Sequence, residues 1–267
     1  MNDPAAPAAP TLASAFAAGH KAFIPFVTCG DPDLETTRRI VHALVDAGAD
    51  LIELGIPFSD PTAEGPVIQA ANVRALSGGV TTDRILAFAA ELRREIPIPL
   101  AFMTYANVVY APGPDRFAAR CAAAGVTGLI LPDVPYEERA EFEAPCRAHG
   151  IDLVSMVAPT SADRIAAIAR AATGFLYVVS SLGVTGERSR ITTDLSAILR
   201  TIRAASTVPA AIGFGISTPD QARAMASISD GAIVGSALVR LIATHGRDAP
   251  APVYDLASAL ASAIHSA

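Results

Sequence analysis

Short apolar runs alternate with amphipathic stretches along most of the chain. The apolar runs predict eight strands, at residues 23–28, 50–55, 100–104, 128–131, 152–157, 175–180, 208–212 and 232–235. Between the runs, apolar residues recur at helical spacing, and in 36–47 Ile40, Val41 and Leu44 share one face. This spacing predicts helices at 36–47, 82–95 (with Thr82 as the cap), 115–124, 137–149, 162–172, 194–205, 219–227 and 253–264.

Near-continuous apolar strands that are each followed by a helix indicate a parallel sheet covered on both faces. Eight such units predict an α/β fold, a single (β/α)8 TIM barrel. A doubly wound sheet is the alternative, but no Gly-x-Gly-x-x-Gly follows the first strand. We expect a disordered tail at 1–10 and one barrel domain at 11–267. A short helix at 11–19 would cover the bottom of the barrel.

Composition narrows the function classes. Hydrophobic residues make up 51% of the chain, which allows a large core, and the net charge of -6 with no Lys/Arg cluster argues against nucleic-acid binding. Three cysteines without metal-ligand spacing argue against a disulfide framework and against a zinc site. With no basic signal segment at the start and no apolar run of about 18–20 residues, we expect a cytoplasmic protein that does not span a membrane.

The segment 53–69 carries the strongest chemical signal. Glu53 ends a short buried strand, where an ionised side chain must be paired or must face a cleft. Three prolines and two glycines make the following loop rigid, so that it can hold Glu64 near Glu53. Two carboxylates at the mouth of a barrel predict acid/base chemistry.

The loops after the last two strands predict a phosphate site. Gly215 follows the seventh strand, and Gly235-Ser236 follows the eighth and opens a helix. Residues 180–188, rich in small residues, predict a mobile lid. Four apolar residues near the mouth suggest that one end of the substrate is flat and apolar: Phe26, Met103, Ile130 and Phe214.

Six motifs, taken together, resemble the tryptophan synthase alpha subunit family from residue 23 to about residue 239. The core motif is Glu53-Leu-Gly-Ile-Pro-Phe-Ser-Asp-Pro61 with Gly65-Pro-Val-Ile-Gln69. The others are the segments 23–32, 105–107, 132–135, 183–186 and 213–217, in the family's order.

The resemblance implies a carbon–carbon lyase of tryptophan biosynthesis. This enzyme cleaves indole-3-glycerol phosphate to indole and glyceraldehyde 3-phosphate by a retro-aldol reaction. It implies that Glu53 is the general acid/base, that Glu64 faces the indole N–H and that Tyr177 lies beside the reacting centre. By the same resemblance Thr185 belongs to the lid, the four apolar residues line the indole pocket, and the phosphate is bound by Gly186, Gly215, Gly235 and Ser236.

The resemblance also implies a partner, a β subunit that carries pyridoxal phosphate and receives the indole in an α2β2 assembly. The loop containing Pro57 and Asp60 would face that subunit. No metal or cofactor is implied in this chain.

The chain departs from the family pattern in three places. Glu64 stands where the family most often has Asp, Thr62 stands where it has Leu or Met, and Ser181 stands where some members have Arg. Three alternatives stay open from the sequence: a stand-alone indole-releasing lyase, a non-catalytic allosteric barrel, and another phosphosugar lyase or isomerase.

Overall fold

The structure, a computed structural model, describes residues 10–159, 164–180, 194–213 and 215–267. The strands in these residues pair in parallel and in chain order to form a closed barrel. This confirms the predicted (β/α)8 barrel. The strands, β1 to β8, are Ala22–Thr28, Ile52–Gly55, Leu100–Met103, Gly128–Ile130, Asp152–Val157, Leu176–Val179, Ala210–Gly213 and Gly231–Val234.

Helices cover the outside of the barrel between successive strands. In the described part of the chain, α1 to α11 are Leu34–Asp46, Pro66–Ser77, Thr82–Glu95, Ala106–Tyr110, Pro114–Ala123, Ala140–Ala148, Ile165–Ala171, Leu195–Ala205, Pro219–Ile228, Ser236–His245 and Pro250–His265. Short 3₁₀ helices add Leu12–Phe16, Tyr136–Glu138 and Gly246–Asp248.

Some helix ends differ from the prediction. Thr81, not Thr82, caps α3, because its hydroxyl accepts the N–H of Arg84 at 3.3 Å. The helix predicted at 137–149 begins only at Ala140, since a 3₁₀ turn occupies the residues before it. Sequence periodicity missed α2, because apolar residues lie all round it and leave no single polar face.

Alternation along the strands decides which side chains fill the barrel. In β2, Ile52 and Leu54 pack outward against the helices. Leu51, just before β2, packs inside the barrel. Because side chains alternate along a strand, Glu53 shares the inward direction of Leu51. A charged residue type therefore stands among the mostly apolar side chains of the barrel interior.

The bottom of the barrel is closed by the first 3₁₀ helix, as the sequence predicted. Leu12 and Ala15 of this helix are buried in the interior cluster. Two glycines make the space for Leu12, since a β-carbon at Gly128 would lie 2.5 Å from its Cδ1 and one at Gly174 would lie 2.9 Å away.

Residues 1–9 of the predicted tail lie outside the described residues, and the single domain at 11–267 stays a prediction. Among the described helices, none combines the length and the apolar composition that crossing a membrane requires.

We predict that Gly128→Ala destabilises the protein by about 1–3 kcal/mol, because the fully buried Leu12 has no room to move away from the new methyl group. Urea unfolding measures this free energy. Leu12→Ala removes the clash, so the double variant should lose less stability than the sum of the single variants. Additivity within about 0.5 kcal/mol would show that the two positions do not compete for space.

Candidate active site

A cavity of ≈ 570 Å³ opens at the carboxyl ends of the strands. This size suits a small organic ligand. Its described lining draws on all eight strands or the loops that follow them, and it includes Glu53, Glu64 and Tyr177. The three side chains predicted to be catalytic therefore surround one cavity.

Glu53 is fully buried in the cavity wall. Within the described structure, neither of its carboxylate oxygens has a hydrogen-bond partner. Burial raises the pKa of Glu53 to about 8, and the nearby charge of Glu64 contributes to the rise. At neutral pH the side chain is therefore mostly a carboxylic acid, able to donate a proton to a ligand in the cavity.

Glu64 lies on the rigid loop, just before α2 begins at Pro66. Its Oε2 accepts a hydrogen bond of 2.7 Å from Nδ2 of Asn72, and Nε2 of Gln69 donates to its backbone oxygen at 2.8 Å. Burial raises the pKa of Glu64 to about 7, and the Asn72 hydrogen bond opposes that rise. Glu64 is thus the more easily ionised of the two carboxyl groups.

Tyr177 projects into the barrel from β6. Burial raises its pKa well above 10, and the charge of Glu53 adds to this effect, so the phenol stays protonated. The neighbouring Gly213 gives the ring its place, because a β-carbon there would lie 2.6 Å from the ring and its hydroxyl. The tyrosine is therefore held as a neutral donor near Glu53.

Two of the apolar residues predicted for an indole pocket line the cavity, namely Phe26 and Met103. Phe26 fits because Gly55 has no side chain, since a β-carbon at 55 would lie 2.6 Å from the ring. Ile130 is fully buried in the barrel interior and is not among the described lining residues, so its position does not support a pocket role. Phe214 lies outside the described residues.

Three of the predicted phosphate residues lie on the other side of β1 from Glu53 and also line the cavity. Gly215 has φ +80°, a conformation that favours glycine. Gly235 is the N-cap of α10 and Ser236 is its first residue, and in the part of the chain that the structure describes no side chain caps this helix end. Backbone N–H groups and the helix dipole there favour an anion. The fourth, Gly186, and the lid residue Thr185 lie outside the described residues.

The loop predicted to face a partner leaves β2 beside this cavity. Pro57 is buried and Asp60 is exposed, with its carboxylate accepting a hydrogen bond from the hydroxyl of Ser59. Phe58 of the same loop stacks on Tyr105 with ring centroids 5.2 Å apart. The exposed part of the loop is therefore anchored to the barrel by an aromatic contact.

Tyr105 belongs to the 105–107 motif, and its hydroxyl accepts the Ala63 N–H at 3.0 Å. Two other supporting residues were not predicted: Asn72 orients Glu64, and Arg139 lines the cavity with Nη1 donating to Ser155 at 2.8 Å. The sequence could have indicated Asn72, because this polar residue lies one helical turn after Ile68, on the buried face of α2. Nothing in the sequence indicated Arg139, because its burial depends on tertiary packing.

The described lining offers few ligands for a metal. It contains the two glutamates but no histidine and no cysteine. The chemistry that this donor set favours is proton transfer between carboxyl groups and a bound organic anion.

Comparison with known proteins identifies the family. The sequence pattern of the family "Tryptophan synthase alpha chain" matches residues 12–264. The alpha chain of Lactiplantibacillus plantarum is 56% identical, over 85% of this chain and 86% of that protein.

Solved structures agree with this match. Tryptophan synthase subunit alpha of Legionella pneumophila has a TM-score of 0.85 at 35% identity, covering 96% of this chain and 97% of that one. A chain of the tryptophan synthase complex from Pyrococcus furiosus has a TM-score of 0.83 at 35% identity, covering 91% and 99%. The chain therefore belongs to the tryptophan synthase alpha chain family.

Proposed function

We propose that this chain cleaves indole-3-glycerol phosphate to indole and glyceraldehyde 3-phosphate, with Glu53 as the general acid and base. The observation that carries the proposal is the buried carboxyl group of Glu53, which has no hydrogen-bond partner among the described residues, in a cavity that also contains the N-terminus of α10. Membership of the family supports the same reaction.

The cavity offers a different environment to each end of this substrate. The phosphate would bind at Gly215, Gly235 and Ser236, where backbone N–H groups face an anion. The indole ring would lie against Phe26 and Met103. This orientation would bring the bond between the ring and the glycerol chain to Glu53, whose strand lies between the strands that carry Phe26 and Met103.

The reaction needs two proton transfers at adjacent carbons. Protonated Glu53 first donates its proton to C3 of the indole, which leaves a cationic ring and a carboxylate. The carboxylate then removes the proton from the hydroxyl on the neighbouring carbon of the glycerol chain. The carbon–carbon bond breaks, its electrons neutralise the ring, and the aldehyde forms. Glu53 ends protonated, so one residue completes the cycle.

Glu64 would stabilise the cationic intermediate by accepting the indole N–H. This role requires the ionised form, and the Asn72 hydrogen bond favours that form. Because Glu has one methylene more than the Asp usual in the family, its carboxylate reaches further from the loop. Tyr177, a neutral donor beside Glu53, would hold the glycerol chain near the reacting carbon.

We further propose that a β subunit carrying pyridoxal phosphate receives the indole. Both subunits would act in the cytoplasm. The structure from Pyrococcus furiosus is of a tryptophan synthase complex. We infer that the loop from Pro57 to Asp60 faces the partner, because it connects the exposed surface to the strand that carries Glu53. This chain would need no cofactor of its own, since both proton transfers use its carboxyl groups.

We predict slow indole release by the wild-type chain alone and a faster rate with a purified β subunit. Glu53→Gln should lower indole release by about 10²–10⁴-fold in both conditions, because the amide is nearly isosteric but cannot exchange the proton. Indole formation from indole-3-glycerol phosphate is the measurement.

The same assay separates the alternatives. Fast release without a partner, and no acceleration by it, would favour a stand-alone lyase. An active Glu53→Gln variant would contradict the assignment of the general acid. No indole from the wild type in either condition would overturn the proposed reaction.

We predict a bell-shaped dependence of kcat/KM on pH. The rate should rise as Glu64 ionises near its pKa of about 7, and fall as Glu53 loses its proton near its pKa of about 8. Because the two groups interact, these limbs belong to the pair. In Glu64→Gln the acidic limb should disappear and the rate should be low, whereas Glu64→Asp should keep both limbs. An unchanged acidic limb in Glu64→Gln would contradict the role of Glu64.

A further inference from the structure

Three metal-binding side chains meet at the bottom of the barrel, at the opposite end from the cavity. His20 lies just before β1, Asp50 just before β2, and His265 is the last residue of α11. Nε2 of His265 lies 3.0 Å from Oδ2 of Asp50, and Nε2 of His20 lies 3.7 Å from Oδ1. One donor atom from each residue lies within 4.8 Å of the other two.

The ring of His20 is oriented as metal-bound histidines are. Its Nδ1 lies 3.2 Å from the backbone oxygen of Lys21, which can only accept, so Nδ1 carries the proton. That arrangement leaves Nε2 as the ring atom nearer the carboxylate, 3.7 Å from Oδ1 of Asp50, where its lone pair is available to a cation. A hydrogen bond from the second nitrogen to a carbonyl is a common outer-shell feature of metal sites.

Asp50 is also held in place by the backbone. Its Oδ2 accepts the N–H of Phe23 at 2.8 Å, at the beginning of β1. This contact fixes the plane of the carboxylate and leaves Oδ1 directed towards His20. A positioned carboxylate loses less conformational entropy when it binds an ion than a mobile one does.

We propose that His20, Asp50 and His265 bind one divalent transition-metal ion, for which zinc is the best match. Two imidazoles and a carboxylate are a common donor set for zinc, with water in the fourth position. Bonds of about 2.0–2.1 Å at tetrahedral angles separate two ligand atoms by about 3.3 Å. The observed distances run to different oxygens, 3.0 Å from His265 to Oδ2 and 3.7 Å from His20 to Oδ1, so a single ion would lie against both oxygens of Asp50.

Binding requires one adjustment. The imidazole rings of His20 and His265 lie with their centroids 3.9 Å apart, tilted by 40°. Two imidazoles on one tetrahedral ion have centroids roughly 5 Å apart. Metal uptake must therefore separate the rings by about 1 Å. Both side chains are about one-quarter exposed, which gives them room to move.

A metal ion at this site would stabilise the folded state. It joins the beginnings of β1 and β2 to the C-terminal helix, at the end of a TIM barrel that serves the fold. An ion that binds the native state alone stabilises that state by mass action. The inference is independent of the proposed function, because none of the three residues lines the cavity.

The test uses untagged, chelator-treated full-length protein and zinc chloride, with calorimetric titration and thermal unfolding. We expect one ion per chain and a rise in Tm on the order of 5 °C at a hundredfold excess over Kd. His20→Gln and His265→Gln should each weaken binding at least about tenfold. His245→Gln, at an exposed position at the end of α10, should bind as the wild type does.

The cobalt spectrum of the wild type tests the site without relying on the folding of any variant. The wild-type complex with Co²⁺ should show the strong visible absorption of a four-coordinate ion with nitrogen ligands. Only the weak spectrum of the hydrated ion would overturn the proposal. Equal zinc binding by wild type and by the His20→Gln/His265→Gln double variant would overturn it as well, as would the absence of saturable binding at about 1 mM zinc.

Discussion

The burial of Glu53 without a hydrogen-bond partner among the described residues is the constraint on which the site depends. Its direction into the barrel follows from strand alternation, and the surrounding packing excludes the water that would otherwise solvate it. Because the folded pKa is about 8, against 4.5 for an unburied glutamate, the folded state binds more protons than the unfolded state between these values. Stability is therefore lost as pH rises from about 4.5 to 8. Burying Glu53 therefore lowers stability at neutral pH, but it provides a side chain that can donate a proton there.

Two glycines leave the space that the aromatic rings near Glu53 occupy. Gly55 leaves room for Phe26, and Gly213 leaves room for the ring of Tyr177. A larger residue at either position would push an aromatic ring towards the space where the substrate binds. The glycines of this barrel thus shape the cavity through their lack of volume, and close packing explains why one methyl group would matter.

Sequence patterns predicted the barrel and the strand ends that carry Glu53, Tyr177 and Gly235, because buried parallel strands give continuous apolar runs. These patterns predicted side-chain positions less well where tertiary packing determines them. Ile130 lies at the end of a strand like Met103, yet it is fully buried in the barrel interior and is not among the described residues that line the cavity with Met103. Arg139 supports the site through a hydrogen bond to Ser155 on β5, a tertiary contact that periodicity does not report. The meeting of His20 with His265 likewise depends on barrel closure.

Acid catalysis by Glu53 requires that the resting protein hold this side chain protonated at neutral pH. Carbon-13 NMR of protein labelled at the glutamate side-chain carboxyls, with Glu53→Gln to assign the signal, measures the pKa of Glu53 directly. We expect a titration near pH 8, well separated from the exposed glutamates. A midpoint near the ordinary value of 4.5 would show that the carboxyl group is solvated or paired in solution, and that Glu53 is not the proton donor at neutral pH.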